Sequence, residues 1–146
     1  MKRKTWSQSI AIILALIFCI GSISTFAAGP IEETHVIEEI IDEYVAIILC
    51  ANVLTLNAGG RLTCGASTDT LPTYTAEVKM ELQKQNTNGT WSTIKTWSGS
   101  GKAGISLVYD WYVVNGTYRL QLTHTSRTSS GSLVENVIKY SKTVVY

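Results

Sequence analysis

Two tryptophans stand six positions apart in the stretch WSTIKTW, at Trp91 and Trp97. In an extended strand alternate side chains share a face, so the spacing puts both indoles on one side with Thr93 and Lys95 between them and Ile94 opposite. Two indoles on a polar face offer flat apolar surfaces on which a sugar ring or a partner's side chain stacks. The competing expectation is that they cover a sheet edge or reach into the core, a common place for tryptophan in a small β domain. Tyr112 is out of phase with its neighbours Tyr109 and Trp111, which places it on a solvent face. Trp91, Trp97 and Tyr112 are therefore the candidate binding residues, and the partner they imply is an extracellular protein or glycan.

Acid–base and nucleophilic groups are sparse. The histidines, His35 and His124, are far apart in sequence, and no cysteine–histidine cluster or CxxC supplies the three or four convergent ligands of a zinc site. No GxSxG elbow, phosphate loop or dinucleotide fingerprint is present. From Val45 onward the carboxylates are Asp69, Glu77, Glu81, Asp110 and Glu135. Glu77 and Glu81 fall on the wet face of one strand, where solvated surface is the usual role. These observations predict no catalytic residue, no metal and no cofactor.

The elements that must hold these residues come with an address. Lys2, Arg3 and Lys4 precede an uncharged apolar run of eleven residues, Ile10 to Ile20, and then the small residues of STFAAG. That is the layout of a secretory signal peptide over 1–27, cleaved after Ala27. The run is shorter than the roughly 18–20 residues of a membrane helix, so no stable membrane anchor is expected after cleavage. Residues 28–45 form an acidic lead segment carrying Glu32, Glu33, Glu38, Glu39, Asp42 and Glu43. Within it Val36, Ile37, Ile40, Ile41 and Tyr44 are spaced by threes and fours, which predicts a linker or a short amphipathic helix. From Val45 onward nine Lys and Arg face five Asp and Glu, without a basic cluster, which argues against nucleic acid as a partner.

Residues 46–146 show period-two patterning. YTAEVKMELQKQ alternates most strictly, and ILCANVLTLN, GRLTCGAS, TWSTIKTW, AGISLVYDWYVV, GTYRLQLTHTS and VENVIKYSKTVVY complete about seven strands separated by Gly, Asn and Ser clusters. The pattern predicts an all-β fold, a single antiparallel β-sandwich of immunoglobulin-like architecture, with a small barrel as the alternative. Asn88-Gly89 and Asn115-Gly116 predict two tight type I′ hairpin turns. Tyr118 opens a late strand in the manner of a tyrosine corner and is expected to be structural. Cys50 and Cys64 share the apolar phase of the first two strands. In an oxidising compartment they predict a disulfide worth roughly 3 kcal/mol.

With the strands placed, a resemblance follows. CANVLTLNAGGRLTCGAS, VKMELQKQNTNGTWSTIKTW, NGTYRLQLTHTS and SGSLVENVIKYSK together resemble a family of small secreted β-sandwich proteins of Gram-positive bacteria whose function is uncharacterised. The resemblance spans about Cys50 to Lys142 and leaves out the acidic segment. It implies a secreted sandwich with cysteines near these two positions, extracellular or associated with the cell wall, and no enzyme activity. The expected function is a non-enzymatic extracellular or cell-surface interaction module, with a bacteriocin-like or toxin-like effector as the alternative.

Overall fold

The computed structural model describes residues 45–146 in full and 34–40 as a backbone strand; the signal-peptide assignment and most of the lead segment lie outside the described residues. The chain runs β1 (Thr34–Ile40), β2 (Ile47–Asn57), β3 (Arg61–Thr70), β4 (Thr75–Gln85), β5 (Trp91–Lys102), β6 (Gly104–Tyr112), β7 (Thr117–Arg127), β8 (Leu133–Tyr140) and the two-residue β9 (Val144–Val145). The seven long strands β2 to β8 match the seven expected. The helix expected in the lead segment is not formed: Thr34–Ile40 is a strand paired antiparallel with β2, from Thr34 opposite Thr55 to Ile40 opposite Leu49. Spacings of three and four in a short apolar stretch do not separate helix from strand when a long neighbouring strand offers an edge to pair with.

Two antiparallel sheets face each other. One has the order β1-β2-β3-β6; the other has β5-β4-β7-β8, with β9 also on β7. Period-two alternation is what lets them pack. Leu54, Leu62, Cys64 and Ala66 from the first sheet meet Val78, Met80, Leu82, Tyr118, Leu120 and Leu122 from the second. A smaller cluster of Ile47, Cys50 and Val137 closes one end.

The expected disulfide is absent, and the ladder shows why. Cys50 pairs with Thr68, while Cys64 pairs with Leu54. Both face the core, but they sit four rungs apart, about 13 Å along the strands. A disulfide needs Cα atoms within about 7 Å. Both cysteines are buried and pack as small apolar groups. Burial, and secondarily the charge of Asp110, pushes the Cys64 thiol up to about 12.

The two Asn-Gly turns also differ from expectation. Asn88 is not left-handed; only Gly89 is, at φ 83°. Gly89 N–H donates to Asn86 O at 3.0 Å and Asn86 N–H to Thr90 O at 2.7 Å, a type I turn followed by a glycine bulge. The Asn88 side chain accepts from Thr90 N–H at 3.1 Å. Asn115-Gly116 makes no hairpin at all, because it carries the chain from β6 in one sheet to β7 in the other. Its glycine instead exchanges two 3.0 Å backbone hydrogen bonds with Tyr146.

The neighbouring loop contains a tight glycine. Gly60 has φ 73°, and a Cβ there would lie 2.5 Å from both Val113 O and the Tyr146 ring. Gly59, at φ 74°, faces open space. Left-handed strain alone costs about 1–2 kcal/mol. Gly59→Ala is therefore expected to cost about 1 kcal/mol, and Gly60→Ala about 2–4 kcal/mol because the clash with a carbonyl adds to the strain. Urea titration of both variants checks this, and equal losses would show that the contact with Val113 is unimportant.

Candidate functional site

The two tryptophans are parted by one residue. The β4–β5 ladder shifts register at Leu82/Gln83: Leu82 pairs with Lys95, Gln83 with Thr93, and Ile94 is left over as a bulge. A bulge re-aims every side chain beyond it. Trp97, opposite Met80, faces inward; Trp91, opposite Gln85, faces outward. The expected shared face for Trp91 and Trp97 is thus corrected to two opposite faces. Nothing in WSTIKTW marks the bulge, since Ile94 fits the strand either way.

Trp91 belongs to a stack on the outer face of the second sheet. The Arg119 guanidinium lies 4.2 Å from the Trp91 ring centre and 4.3 Å from that of Tyr140, held between the two. Arg119 Nε also donates to Gln83 at 2.9 Å. Gln83 continues to Gln121 at 3.0 Å. Arg127 pairs with Glu77 at 2.9 Å and Lys79 with Glu81 at 3.0 Å. Cation–π contacts and cross-strand polar pairs of this kind stabilise a solvated sheet face by fractions of a kcal/mol each. Trp91, with one ring face covered by Arg119, is part of that lattice.

Trp97 sits elsewhere, in the seam where the edge strands β5 and β6 of the two sheets approach. Its ring stacks on Tyr109 at 5.3 Å with planes 6° apart, and meets Trp111 edge-on at 6.3 Å. Lys95 places its ammonium 4.6 Å from the Trp111 ring centre and 5.9 Å from that of Trp97. Tyr109 and Trp111 have the core-facing phase, opposite Cys64 and Leu62. Yet they remain 40% and 37% exposed, because β6 is the last strand of its sheet and no described strand lies beyond it. Tyr112 is 72% exposed, as expected, and Val108 is 68% exposed. Asp110, Trp111 and Tyr112 line a shallow groove of about 380 Å³. Asp110 is tied back to β3, accepting from Thr63 Oγ1 at 2.7 Å and pairing with Arg61 at 3.4 Å. The structure therefore gathers Trp97, Lys95, Tyr109 and Trp111 in the seam, places Val108 and Tyr112 on the outer face of the same edge strand, and leaves Trp91 outside both. The sequence signal for Tyr109 and Trp111 was present, but phase alone does not tell a central strand from an edge.

The opposite end of the interior is polar. His124 is buried and its Nδ1 shares a 2.7 Å hydrogen bond with Thr68 Oγ1. Its Nε2, together with Asn52 Oδ1, Thr70 Oγ1 and Ser126 Oγ, has no hydrogen-bond partner. Burial, with Lys139 adding repulsion, pushes the imidazole down to about 4. Next to it Glu135 clamps the start of β2. One carboxylate accepts N–H groups from Val45, Ala46 at 2.9 Å and Ile47 at 2.8 Å. Desolvation raises the Glu135 pKa, but the hydrogen bonds from Ile47, Val45 and Ala46 outweigh it and hold it below the usual 4.5. Among the described residues no three His, Cys, Asp or Glu side chains gather as a metal site, and no helix is long and apolar enough to cross a membrane.

Tyr118 is buried and its hydroxyl donates to Val114 O at 2.5 Å. A tyrosine on a late strand bonded to the backbone a few residues upstream is the tyrosine-corner arrangement. No family model, no curated protein and no solved structure matches the chain.

Proposed function

We propose that this chain is a secreted, non-enzymatic, immunoglobulin-like β-sandwich that works as an extracellular interaction module, with the β5/β6 flank as its contact surface. One observation carries the reading. Val108, Tyr109, Trp111 and Tyr112 all stand exposed on the edge strand β6, Tyr109 and Trp111 toward the seam with β5 and Val108 and Tyr112 on the outer face, and exposed aromatic residues are the usual anchors of protein interfaces. Strand order supports the architecture. Taken as strands A, B, C, C′, E, F and G, β2 to β8 give an A-B-E sheet facing a C′-C-F-G sheet, with Tyr118 in F. Secretion rests on the n-region, apolar run and small residues at the amino terminus, and a Gram-positive source on the family resemblance.

Binding of the purified protein to cell-wall polysaccharides and to extracellular proteins tests the reading. Trp111→Ala and Tyr112→Ala are each expected to weaken the interaction by about 30-fold, the size of an interface hot spot. Trp91→Ala, on the far face, is expected to leave it unchanged. Affinity untouched by the first two substitutions would remove the flank from consideration.

A further inference from the structure

Among the described residues four long strands end the two sheets, β1, β6, β5 and β8, and the two-residue β9 lies outermost beside β7. An edge strand exposes a row of unpaired N–H and C=O groups, and natural sheets guard such edges with bulges, charges or short strands. β5 and β8 each carry a guard. β5 has the Ile94 bulge and contributes Lys95 and Lys102. β8 pairs through a register shift at Ser126/Arg127 and carries Lys139. β6 has none of these. Its nine rungs with β3 run without a shift, it carries no Lys or Arg, and its one charge, Asp110, is held by Arg61 and Thr63 on β3.

We propose that β6 pairs with β6 of a second copy of this chain, antiparallel about a two-fold axis through Val108, so that the two β3–β6 sheets become one. The side chains of β6 favour this occupant, and the length of the strand fixes the register. Gly104–Tyr112 overlaps fully with its own reversed copy only when Val108 meets Val108, and an antiparallel pair of identical strands is two-fold symmetric by construction. Every other rung in that register is complementary. Trp111 meets Ile105 of the second copy and Tyr109 meets Leu107, the aromatic–aliphatic pairs that stabilise antiparallel ladders. Asp110 meets Ser106, so no like charges oppose each other. Tyr112 meets Gly104, over which Asp69 places a carboxylate oxygen, 2.6 Å from where a Cβ would sit, as an acceptor for the phenol. The added strand covers Tyr109 and Trp111, the core-phase side chains that β6 leaves half open, and crosses the groove at Asp110, Trp111 and Tyr112. The inference rests on reading the β6 flank as a contact surface and goes beyond it by naming what docks there.

Sedimentation velocity over a concentration series tests it, using the full chain as its producing cell makes it. The wild type is expected to shift from monomer to dimer as concentration rises. Val108→Lys and Val108→Glu each place like charges on the axis and are expected to be monomeric, with unchanged far-ultraviolet circular dichroism because Val108 is exposed. A one-to-one mixture of the two variants is expected to restore the dimer, since Lys then faces Glu. A wild type that stays monomeric overturns the proposal, as does a dimer that survives both substitutions. Monomeric variants whose mixture stays monomeric overturn the Val108 register. The wider reading of the flank is decided separately, by the Trp111 and Tyr112 binding measurements.

Discussion

The protein is expected to lose about 3 kcal/mol of stability between pH 6.5 and pH 4 through His124 alone. Its imidazole is lowered from 6.5 to about 4 in the folded state. Each unit of difference between folded and unfolded values is worth about 1.4 kcal/mol. The sign follows from proton uptake. Above pH 6.5 neither state holds the proton and His124 contributes nothing. Below it the unfolded chain takes the proton while the buried ring stays neutral, so unfolding gains ground until the folded ring protonates near pH 4. For a domain whose net stability is roughly 5–15 kcal/mol this is a large fraction. Glu135 acts in a separate window. Its folded pKa is depressed, so its contribution is complete above pH 4.5 and is lost as pH falls through the lowered value. Urea titrations at a series of pH values separate the two. The paired change His124→Leu with Thr68→Val removes both partners of one buried hydrogen bond and leaves no orphan between them, which keeps the cost at neutral pH small. That variant is expected to show a nearly flat profile from pH 6.5 to pH 4.5. A profile parallel to the wild type would mean that His124 is not the acid-sensitive group.

The second large effect is expected at Tyr118. Its ring is fully buried among residues of both sheets, and its hydroxyl holds the β6–β7 crossing loop by bonding Val114 O. Tyr118→Ala empties that volume and strands the carbonyl, for an expected loss of about 3–5 kcal/mol. Tyr118→Phe keeps the ring and gives up only the hydrogen bond, about 1 kcal/mol. The difference between the two, read from urea midpoints at constant slope, measures how much of the corner is packing. A Phe variant as unstable as the Ala variant would show that the hydroxyl, not the ring, anchors the crossing.

These residues also show what is legible in the sequence. Alternation in YTAEVKMELQKQ and GTYRLQLTHTS located β4 and β7 with their buried faces, because a half-buried antiparallel strand writes its environment directly into its side-chain types. Tyr118 was legible for the same reason. What failed depended on register between strands. The faces of Trp91 and Trp97 turn on Ile94, a residue equally at home in a bulge or a regular rung. The cysteines share a face, but pairing is fixed by where the hairpin turns. With Asn57 opposite Arg61, Cys50 falls four rungs from Cys64. The place of β6 at an edge, which leaves Tyr109 and Trp111 half open, is a property of sheet order and has no local signature. The strand at Thr34–Ile40 has no strand signature of its own, because it pairs only by virtue of the long β2 beside it.

The Glu135 clamp has a consequence for how the chain is made. It joins Val45, at the beginning of the sandwich, to a side chain 90 positions later. Contacts of such separation close slowly, since a long loop must be ordered before any of its energy is recovered. Synthesis is vectorial, so the three N–H groups at the head of β2 are made long before the carboxylate that accepts them. A chain stopped short of β8 lacks Glu135 and keeps the head of its first long strand unfastened.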